Sequence, residues 1–262
     1  MTHSVADVAR FLNAFAPPAL AESWDNVGLL VGRAQQPVER VMTCLTTTPA
    51  SASEAVDRGA NLIVSHHPLP FRPLKRLTCE SGEGRLLLEL IENKIAVFSP
   101  HTAFDSAEQG INQKLAAVLG LDEIAPLVPG LEAGQGAGRH GQLPAEVSLA
   151  DFAAVVKGAL TLSNIQAVGP LDRGVRRVAV ACGSAGEFIA LAAEAGCDCL
   201  VTGEVRFHGC LEAESLGIAI VLAGHYASER FAVEELAAAL STKFPSLSVW
   251  ASSREQDPVH WL

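Results

Sequence analysis

Hydrophobic positions in the first half of the chain follow two alternating spacings, one typical of helices and one typical of buried strands. Apolar side chains recur at helical spacing from Val5 to Phe15, and Pro17-Pro18 ends that pattern. The pattern then predicts strands at 38–48, 61–65 and 95–100 and helices at 49–60, 84–94 and 110–121. The short, mostly apolar strand NLIVS at 61–65 is typical of a parallel sheet that is covered on both faces.

The second half repeats this alternation after an interruption. Residues 127–146 are dense in glycine and proline and lack an apolar period, which indicates a linker or a region of loops and turns. Beyond them, we predict helices at 148–160, 184–196, 211–218 and 228–244 and strands at 175–183, 197–203, 219–224 and 246–252. The alternation predicts an α/β fold with largely parallel sheets, in two lobes at residues 1–126 and 127–262.

Composition excludes several classes of protein. Hydrophobic residues make up 49% of the 262 residues and charged residues 18%, which is enough apolar material for a sizeable core. The net charge of −10 argues against broad binding to nucleic acid or to anionic membranes. It does not argue against an anionic substrate, because bound metal ions can reverse the local sign.

The sequence also favours a cytoplasmic protein that does not enter a membrane. The six cysteines form no C-x-x-C pair and do not resemble a disulfide framework. The first residues lack the basic and then apolar layout of a signal peptide. No apolar stretch reaches the roughly 18 residues of a membrane span.

Two adjacent histidines, His66 and His67, end the predicted strand at 61–65 and precede Pro68. In open α/β sheets, ligands bind beyond the carboxyl ends of the strands. Successive side chains on a strand point to opposite faces, but at a strand end the backbone can turn both imidazoles toward two metal ions. Taken alone, the pair is explained equally well as metal ligands or as the polar exit of a buried strand.

Two further strand ends carry potential ligands that are four residues apart. They are His101 with Asp105, and His225 with Glu229. If a helix begins at each place, both members of a pair face one side, as the two histidines of the HExxH zinc helix do. Each pair alone has an alternative: Asp105 can cap the next helix while His101 fills a loop, and the second pair can be a solvated helix face.

The argument for a metal centre lies in the combination of these strand ends. Imidazole and carboxylate ligands suit zinc, manganese or iron. The combined set is larger than one catalytic metal needs, whereas two metals about 3.5–4 Å apart, bridged by a carboxylate, would use it fully. We therefore expect a dinuclear centre in a cleft at the strand ends, built from His66, His67, His101, Asp105, His225 and Glu229.

Several motifs in fixed order make the chain similar to a known family, the GTP cyclohydrolase I type 2 or NGG-interacting-factor-three-like dinuclear-metal proteins. These motifs are ESWDNVGLLVG, SHHPLPFRPLKRLT, SPHTAFDSAEQGINQKLA, GAGRHGQL, VTGEVRFHGCLEA and GHYASER. The resemblance implies a two-lobed, three-layer α/β subunit with largely parallel mixed sheets, assembled into a ring-shaped homohexamer. It also implies that segment 224–262 returns ligands to a site shared with the first lobe.

The resemblance assigns roles to single residues. It implies that His66 and His67 each bind one of two divalent metal ions (zinc, manganese, iron or magnesium). The remaining implied ligands are Asp105, His225 and Glu229, with Glu229 as the bridge and a catalytic group. His101 is implied to lie close to the metals and to act as an acid–base residue.

The activity implied by the resemblance is that of a dinuclear-metal-dependent hydrolase acting on a nucleotide. For GTP, metal-bound hydroxide would attack C8 of the guanine ring, open the imidazole and release formate. Two alternatives use the same metal site. One is a non-catalytic metal-binding ring protein acting as a scaffold, metal carrier or regulator, and the other is a metal-dependent phosphoester hydrolase.

Other residues near these motifs are weaker candidates for substrate contacts. Arg72 could hold a phosphate or simply belong to a solvated loop, and Glu204 and His208 follow the strand at 197–203. Trp24 and Asp25 in ESWDNVG could line the cleft or anchor a loop. One departure from the family concerns the run TTTP at 46–49, where Thr46 replaces the usual aspartate of Asp-x-Thr-Pro; this could change outer contacts of the site.

Overall fold

Short apolar runs form the central strands of two sheets, and the longer amphipathic segments form helices around them. The computed structural model describes residues 2–260 of the chain. The strands are β1 (His3–Ser4), β2 (Gly28–Val31), β3 (Pro37–Val38), β4 (Arg40–Cys44), β5 (Leu62–Ser65), β6 (Ala96–Ser99), β7 (Asp122–Ala125), β8 (Val128–Pro129), β9 (Gly136–Ala137), β10 (Arg139–Ser148), β11 (Gln166–Val168), β12 (Gly174–Ser184), β13 (Cys199–Glu204), β14 (Ala219–Leu222) and β15 (Ser248–Ala251). The mixed α/β fold predicted from the alternation is confirmed.

The helices begin at the capping signals that the sequence carries. They are α1 (Val5–Phe15), α2 (Pro49–Asp57), α3 (Gly82–Glu92), α4 (His101–Ser106), α5 (Ile111–Val118), α6 (Leu149–Ala159), α7 (Phe188–Glu194), α8 (Phe207–Leu216) and α9 (His225–Lys243), with a 3₁₀ turn at Pro18–Leu20. Ser4 and Asp7 form a reciprocal capping box at α1, and the Ser148 hydroxyl accepts a hydrogen bond from the Asp151 amide at α6. Within residues 2–260, no helix has both the length and the apolar character that crossing a membrane requires.

The described residues divide into two compact units. The first unit contains residues 2–104 and Arg230–Gln256, and the second contains Asp105–Glu229 and residues 257–260. The boundary predicted after residue 126 lies inside the second unit, because β7 pairs with β10 and α5 packs on the same sheet. Segment 230–256 belongs to the first unit, where β15 pairs with β4. Residues 1, 261 and 262 of the predicted lobes lie outside the described residues.

The sheet of the first unit has the order β15-β4-β5-β6-β2, in which only β2 runs antiparallel among the described strands. All four residues of β5 are buried, as expected for a central strand covered on both faces. Cys44 pairs with Ser65, and Val64 pairs with Phe98. The carboxyl ends of β4, β5 and β6 are therefore level at one edge of this sheet.

The sheet of the second unit is more mixed than the sequence predicts. Its order is β11-β14-β13-β12-β10-β7, and only the pairs within β12, β13 and β14 are parallel. Ser184 pairs with Glu204, and Thr202 pairs with Leu222. The ends of these three parallel strands thus also share one edge, from which α9 continues after β14.

Strand β10 is the main element that the hydrophobic pattern misses, since it occupies part of the predicted break at 127–146. Its inward positions are Arg139, Gly141 and Leu143, which alternate with less buried residues. An arginine and a glycine at buried positions remove the apolar period by which a strand is recognised. The Arg139 side chain is fully buried because it donates hydrogen bonds to Gln113 Oε1 and to backbone carbonyls, including those of Gly134, Gly136, Gly138 and Ala107.

Candidate metal-binding site

The adjacent histidines at the end of β5 are held in place through their backbone. The His66 amide donates to the Cys44 carbonyl at 2.9 Å, and the His67 amide donates to the Leu45 carbonyl at 2.8 Å. On the other side, the Ser99 hydroxyl donates to the His66 carbonyl at 2.6 Å. These hydrogen bonds anchor the backbone of both histidines just past the end of β5.

His101 opens α4 immediately after β6, and its backbone has an unusual conformation. Its φ angle is +27°, which non-glycine residues adopt rarely and which is typical of constrained functional positions. The Asp25 carboxylate accepts hydrogen bonds from His101 Nδ1 at 2.7 Å and from the Thr102 amide at 3.1 Å. One buried carboxylate thus caps the helix and orients the imidazole, with Nδ1 as the donor and Nε2 as the second ring nitrogen.

The charge of Asp25 supports this arrangement. Burial alone would raise the pKa of Asp25, but hydrogen bonds from His101 and Thr102 outweigh it and lower the pKa to about 2. The carboxylate is therefore ionised at neutral pH. A carboxylate that accepts from one nitrogen of an imidazole fixes the tautomer and the ring orientation, as found around metal-ligating histidines.

His66, His67 and His101 come together in the first unit as a group of possible metal ligands. One ring nitrogen of each lies within 4.8 Å of one ring nitrogen of the other two. The ring centroids are 5.0 to 5.5 Å apart, and His66 is almost completely buried. Three imidazoles at this spacing form a donor set that suits zinc, manganese or iron. The first unit alone therefore offers residues that fit a transition-metal ion.

His67 has a further polar contact at the end of β4. The Thr46 hydroxyl lies 2.7 Å from His67 Nδ1, at the position where the family resemblance leads one to expect aspartate. The amides of Leu45 and Thr46 donate to the Glu255 carboxylate at 2.8 and 2.5 Å. Glu255 also forms an ion pair with Arg230 at 3.1 Å. Segment 230–256, to which Glu255 and Arg230 belong, therefore fixes the loop at Leu45 and Thr46 that orients His67.

In the second unit, His225 and Glu229 lie in the first turn of α9 and contact each other. His225 Nε2 is 3.2 Å from Glu229 Oε2, and His225 Nδ1 is 3.1 Å from Glu204 Oε1. The hydrogen bond to Glu229 is the largest cause that raises the pKa of His225 to about 9; burial opposes this effect and Glu204 adds to it. The carboxylates of Glu204 and Glu229 therefore stabilise positive charge at His225. A divalent cation bound here would interact favourably with the same two carboxylates.

Gly183, at the end of β12, provides the space for this pair. Its φ angle is +66°, and a Cβ atom at this position would collide with Glu229 Oε1 and lie 3.4 Å from His225 Nε2. The Gly183 amide donates to the Ser228 hydroxyl at 2.9 Å, which ties the strand end to α9. A glycine is therefore required here both by the backbone conformation and by the close approach of the carboxylate.

Asp105, the remaining predicted ligand, lies in α4 and contacts β12 within the second unit. The Cys182 thiol donates to Asp105 Oδ1 at 3.3 Å, and the Cys182 amide donates to the Asn112 side chain at 2.8 Å. Burial, followed by the nearby Asp105 carboxylate, raises the pKa of the Cys182 thiol well above its usual range. Cys182 is thus a neutral donor toward Asp105 rather than a thiolate.

The other predicted substrate residues have different surroundings. Glu204 orients His225, as described above. Arg72 is exposed in the loop that follows Pro70, and His208 lies near the start of α8 with its ring 5.8 Å from that of Phe207. The roles of Arg72 and His208 in substrate binding stay predictions.

Two residues of the site were not connected with their partners by the sequence: Asp25, which was expected to line the cleft or anchor a loop, and Gly183, which ends the strand predicted at 175–183. Asp25 lies 76 residues from its partner His101. No local spacing rule connects two residues at this distance. For Gly183, the local pattern gives no indication that a carboxylate approaches it.

Comparisons with known proteins agree with this fold and these motifs. The family model described as Duf34/NIF3 (NGG1p interacting factor 3) matches residues 3–258. A protein of Clostridium acetobutylicum named GTP cyclohydrolase 1 type 2 homolog is 32% identical over 87% of this chain and 86% of its own length. A Helicobacter pylori protein named GTP cyclohydrolase 1 type 2 is 36% identical over 86% of this chain and 87% of its own. The crystal structure of a Bacillus cereus protein related to NIF3 superposes with a TM-score of 0.92 at 24% identity, covering 99% of both chains, which supports the fold.

Proposed function

This chain belongs to the Duf34/NIF3 family, and from that premise we propose that it is a metal-dependent hydrolase that acts on a nucleotide. The observation that carries the proposal is the group of three imidazoles formed by His66, His67 and His101. Purely structural histidines rarely gather at one sheet edge with their ring nitrogens so close together, whereas metal centres require such a gathering.

We propose that two divalent metal ions are held by His66, His67, Asp105, His225 and Glu229. Support comes from the order of motifs shared with the family and from two groups of side chains that suit a cation. In the first unit, this group is the three imidazoles of His66, His67 and His101. In the second unit, it is the imidazole of His225, which lies between two carboxylates. Glu229 is assigned as the bridging ligand.

When bound, such metal ions supply Lewis-acid polarisation and activate water at neutral pH. The residues of the chain supply the remaining functions. Asp25 holds Nδ1 of His101, so that Nε2 is the nitrogen that exchanges a proton with the substrate. Glu204 holds Nδ1 of His225 in the same manner and leaves Nε2 directed to Glu229. Both imidazoles are thus positioned by ionisable partners rather than by chance packing.

GTP is the first substrate to test, because the Helicobacter pylori relative carries the name GTP cyclohydrolase 1 type 2. In this reaction, one water adds at C8 of guanine and opens the imidazole ring to a formamide. A second water then cleaves the formamide and releases formate. His101 is the proposed acid–base residue for the accompanying proton transfers. A homohexameric assembly and a cytoplasmic location are proposed on the family resemblance and the sequence respectively.

Metal analysis and turnover test the proposal together. The purified protein is expected to bind two equivalents of zinc, manganese or iron, and the loaded protein is expected to release formate from GTP. Replacement of His67 or Glu229 by alanine should remove metal and formate release, whereas His260→Ala, at an exposed histidine outside both sets, should change neither. Stoichiometric metal without turnover of GTP or a nucleotide panel would favour the scaffold or carrier function, and phosphate release would favour a phosphoester hydrolase.

The same experiment can reject the site. If metal does not bind stoichiometrically, or if it still binds after loss of both His67 and Glu229, the ligand assignment is wrong. Light scattering of the purified chain tests the assembly separately, because a monomer would contradict the hexamer without affecting the ligand assignment.

A further inference from the structure

Two large aromatic side chains lie exposed in the first unit next to His101. Trp24 is 60% exposed and Phe71 is 45% exposed. Their ring centroids are 6.0 Å apart with an interplanar angle of 48°. Each ring also contacts His101 edge-on, at 6.0 Å for Trp24 and 6.1 Å for Phe71. The two rings therefore form an exposed aromatic surface beside the imidazole group.

The loops that carry the two rings are fixed relative to each other. The Asn26 side-chain amide donates to the Pro70 carbonyl at 2.8 Å, which joins the loop of Trp24 to the loop of Phe71. The Glu22 amide donates to the Thr102 hydroxyl at 2.9 Å and ties the first loop to α4. The rings are thus exposed on a scaffold that is already ordered, which lowers the entropic cost of binding a ligand against their exposed faces.

The charge of the adjacent segment indicates what kind of ligand fits. Arg72, Lys75 and Arg76 follow Phe71 closely, and residues 71–78 contain no acidic side chain although the whole chain has a net charge of −10. All three cations are exposed. An exposed aromatic surface beside exposed cations matches a ligand that has an aromatic ring at one end and a phosphate at the other.

We propose that Trp24 and Phe71 form a stacking site for the base of a nucleotide, with its phosphate held by the cations at 72–76. This inference rests on the proposed function, because it places the base beside His101. Aromatic side chains bind bases through their flat faces and tolerate different bases, so the site selects for a planar heteroaromatic ring.

Binding of guanosine monophosphate without added metal tests the stacking site independently of catalysis. Calorimetry with Trp24→Leu or Phe71→Leu is expected to show a loss of affinity of about tenfold, whereas Trp24→Phe should retain most of it. Phe207→Leu removes an aromatic ring that is 70% exposed in the second unit and serves as the matched control. Ribose 5-phosphate should bind more weakly than guanosine monophosphate and should not respond to the aromatic substitutions.

Tryptophan fluorescence gives a second readout. The nucleotide should quench the emission of the unmodified chain, and Trp24→Phe should remove this quenching while leaving Trp250 and Trp261 in place. The proposal is overturned if guanosine monophosphate does not bind, if ribose 5-phosphate binds as tightly, or if Trp24→Leu leaves the affinity unchanged. It is also overturned if the leucine variants dissociate the assembly and the ring pair proves to be buried between copies.

These outcomes separate the two proposals. Base binding that depends on Trp24 and Phe71, without any metal-dependent turnover, would reject the hydrolase and leave the stacking site standing. Turnover that is insensitive to both rings would do the opposite.

Discussion

The Thr46 hydroxyl lies 2.7 Å from Nδ1 of His67. Thr46, which is not among the proposed metal ligands, therefore contacts a residue that is. Glu255 accepts the Thr46 amide, and the same carboxylate pairs with Arg230. The orientation of one imidazole is therefore linked to a carboxylate about 190 residues away through a single threonine. Outer contacts of this kind commonly set the affinity of a metal site.

Thr46→Val is expected to weaken metal binding about tenfold, because it removes the hydroxyl with little change in volume. Calorimetric titration of the metal-free protein with zinc measures this effect. Thr47→Val is the control, since the neighbouring hydroxyl lies near Cys44 at 3.9 Å and no contact with a histidine is found for it among the described residues. Equal affinities of Thr46→Val and the unmodified chain would show that the hydroxyl does not orient His67.

Asp25→Ala is expected to loosen the start of α4. The Asp25 carboxylate accepts hydrogen bonds from the Thr102 amide and from His101, whose φ angle is +27°. Its loss removes the acceptor of both hydrogen bonds. Hydrogen exchange at residues 102–104 should become faster. Asp7→Ala, which removes an equivalent carboxylate from the capping box of α1, should accelerate exchange only near its own helix. Unchanged exchange at 102–104 would contradict the assigned role.

Gly183→Ala is expected to disturb the His225–Glu229 pair, because the added methyl would occupy the place of the Glu229 carboxylate. The positive φ angle adds backbone strain of about 1 kcal/mol or more. The metal content of the purified variant should fall below that of the unmodified chain. Gly186→Ala is the matched control, since its Cβ would meet only Val205, at 4.0 Å. Full metal occupancy in Gly183→Ala would contradict the assignment of His225 and Glu229 as metal ligands.

The sequence predicts the parts of this protein that depend on local pattern. The strand at 61–65 and the helix at 49–60 follow from apolar runs and end signals, and both are found within a few residues of those bounds. The strand β10 could not be predicted, because Arg139 occupies an inward position and its carbonyl partners are set only by the folded chain. Asp25 and Glu255 could not be assigned for a similar reason, since each meets its partner through tertiary structure alone.

Arg139→Met is expected to lower the stability of the second unit by about 3 kcal/mol or more, because the backbone carbonyls around it lose a buried cationic donor. Burial lowers the pKa of Arg139 to about 10, so the guanidinium is charged at neutral pH and depends on those carbonyls. Thermal unfolding measures the change. Arg176→Met, at an exposed position of β12, should alter the midpoint far less. Similar midpoints for both variants would show that the burial of Arg139 is not important for stability.

Glu54 is a buried carboxylate that connects α2 to residues 252–254 within the first unit. It accepts hydrogen bonds from the Ser252 hydroxyl at 2.8 Å and from the Ser253 and Arg254 amides at 2.9 and 3.0 Å. Arg58 pairs with its other oxygen at 3.1 Å. Burial alone would raise the pKa of Glu54, but these hydrogen bonds outweigh it and lower the pKa.

Since the folded-state pKa of Glu54 lies below its unfolded value of about 4.3, its contribution to stability is present above that value and is lost as pH falls through the folded pKa. Glu54→Gln should therefore reduce the free energy of unfolding by about 2 kcal/mol at pH 7, and the difference from the unmodified chain should shrink below pH 4. Denaturant unfolding at several pH values measures this, with Glu39→Gln at an exposed site as the control. A difference that stays constant with pH would mean that the carboxylate charge is not what fastens the segment.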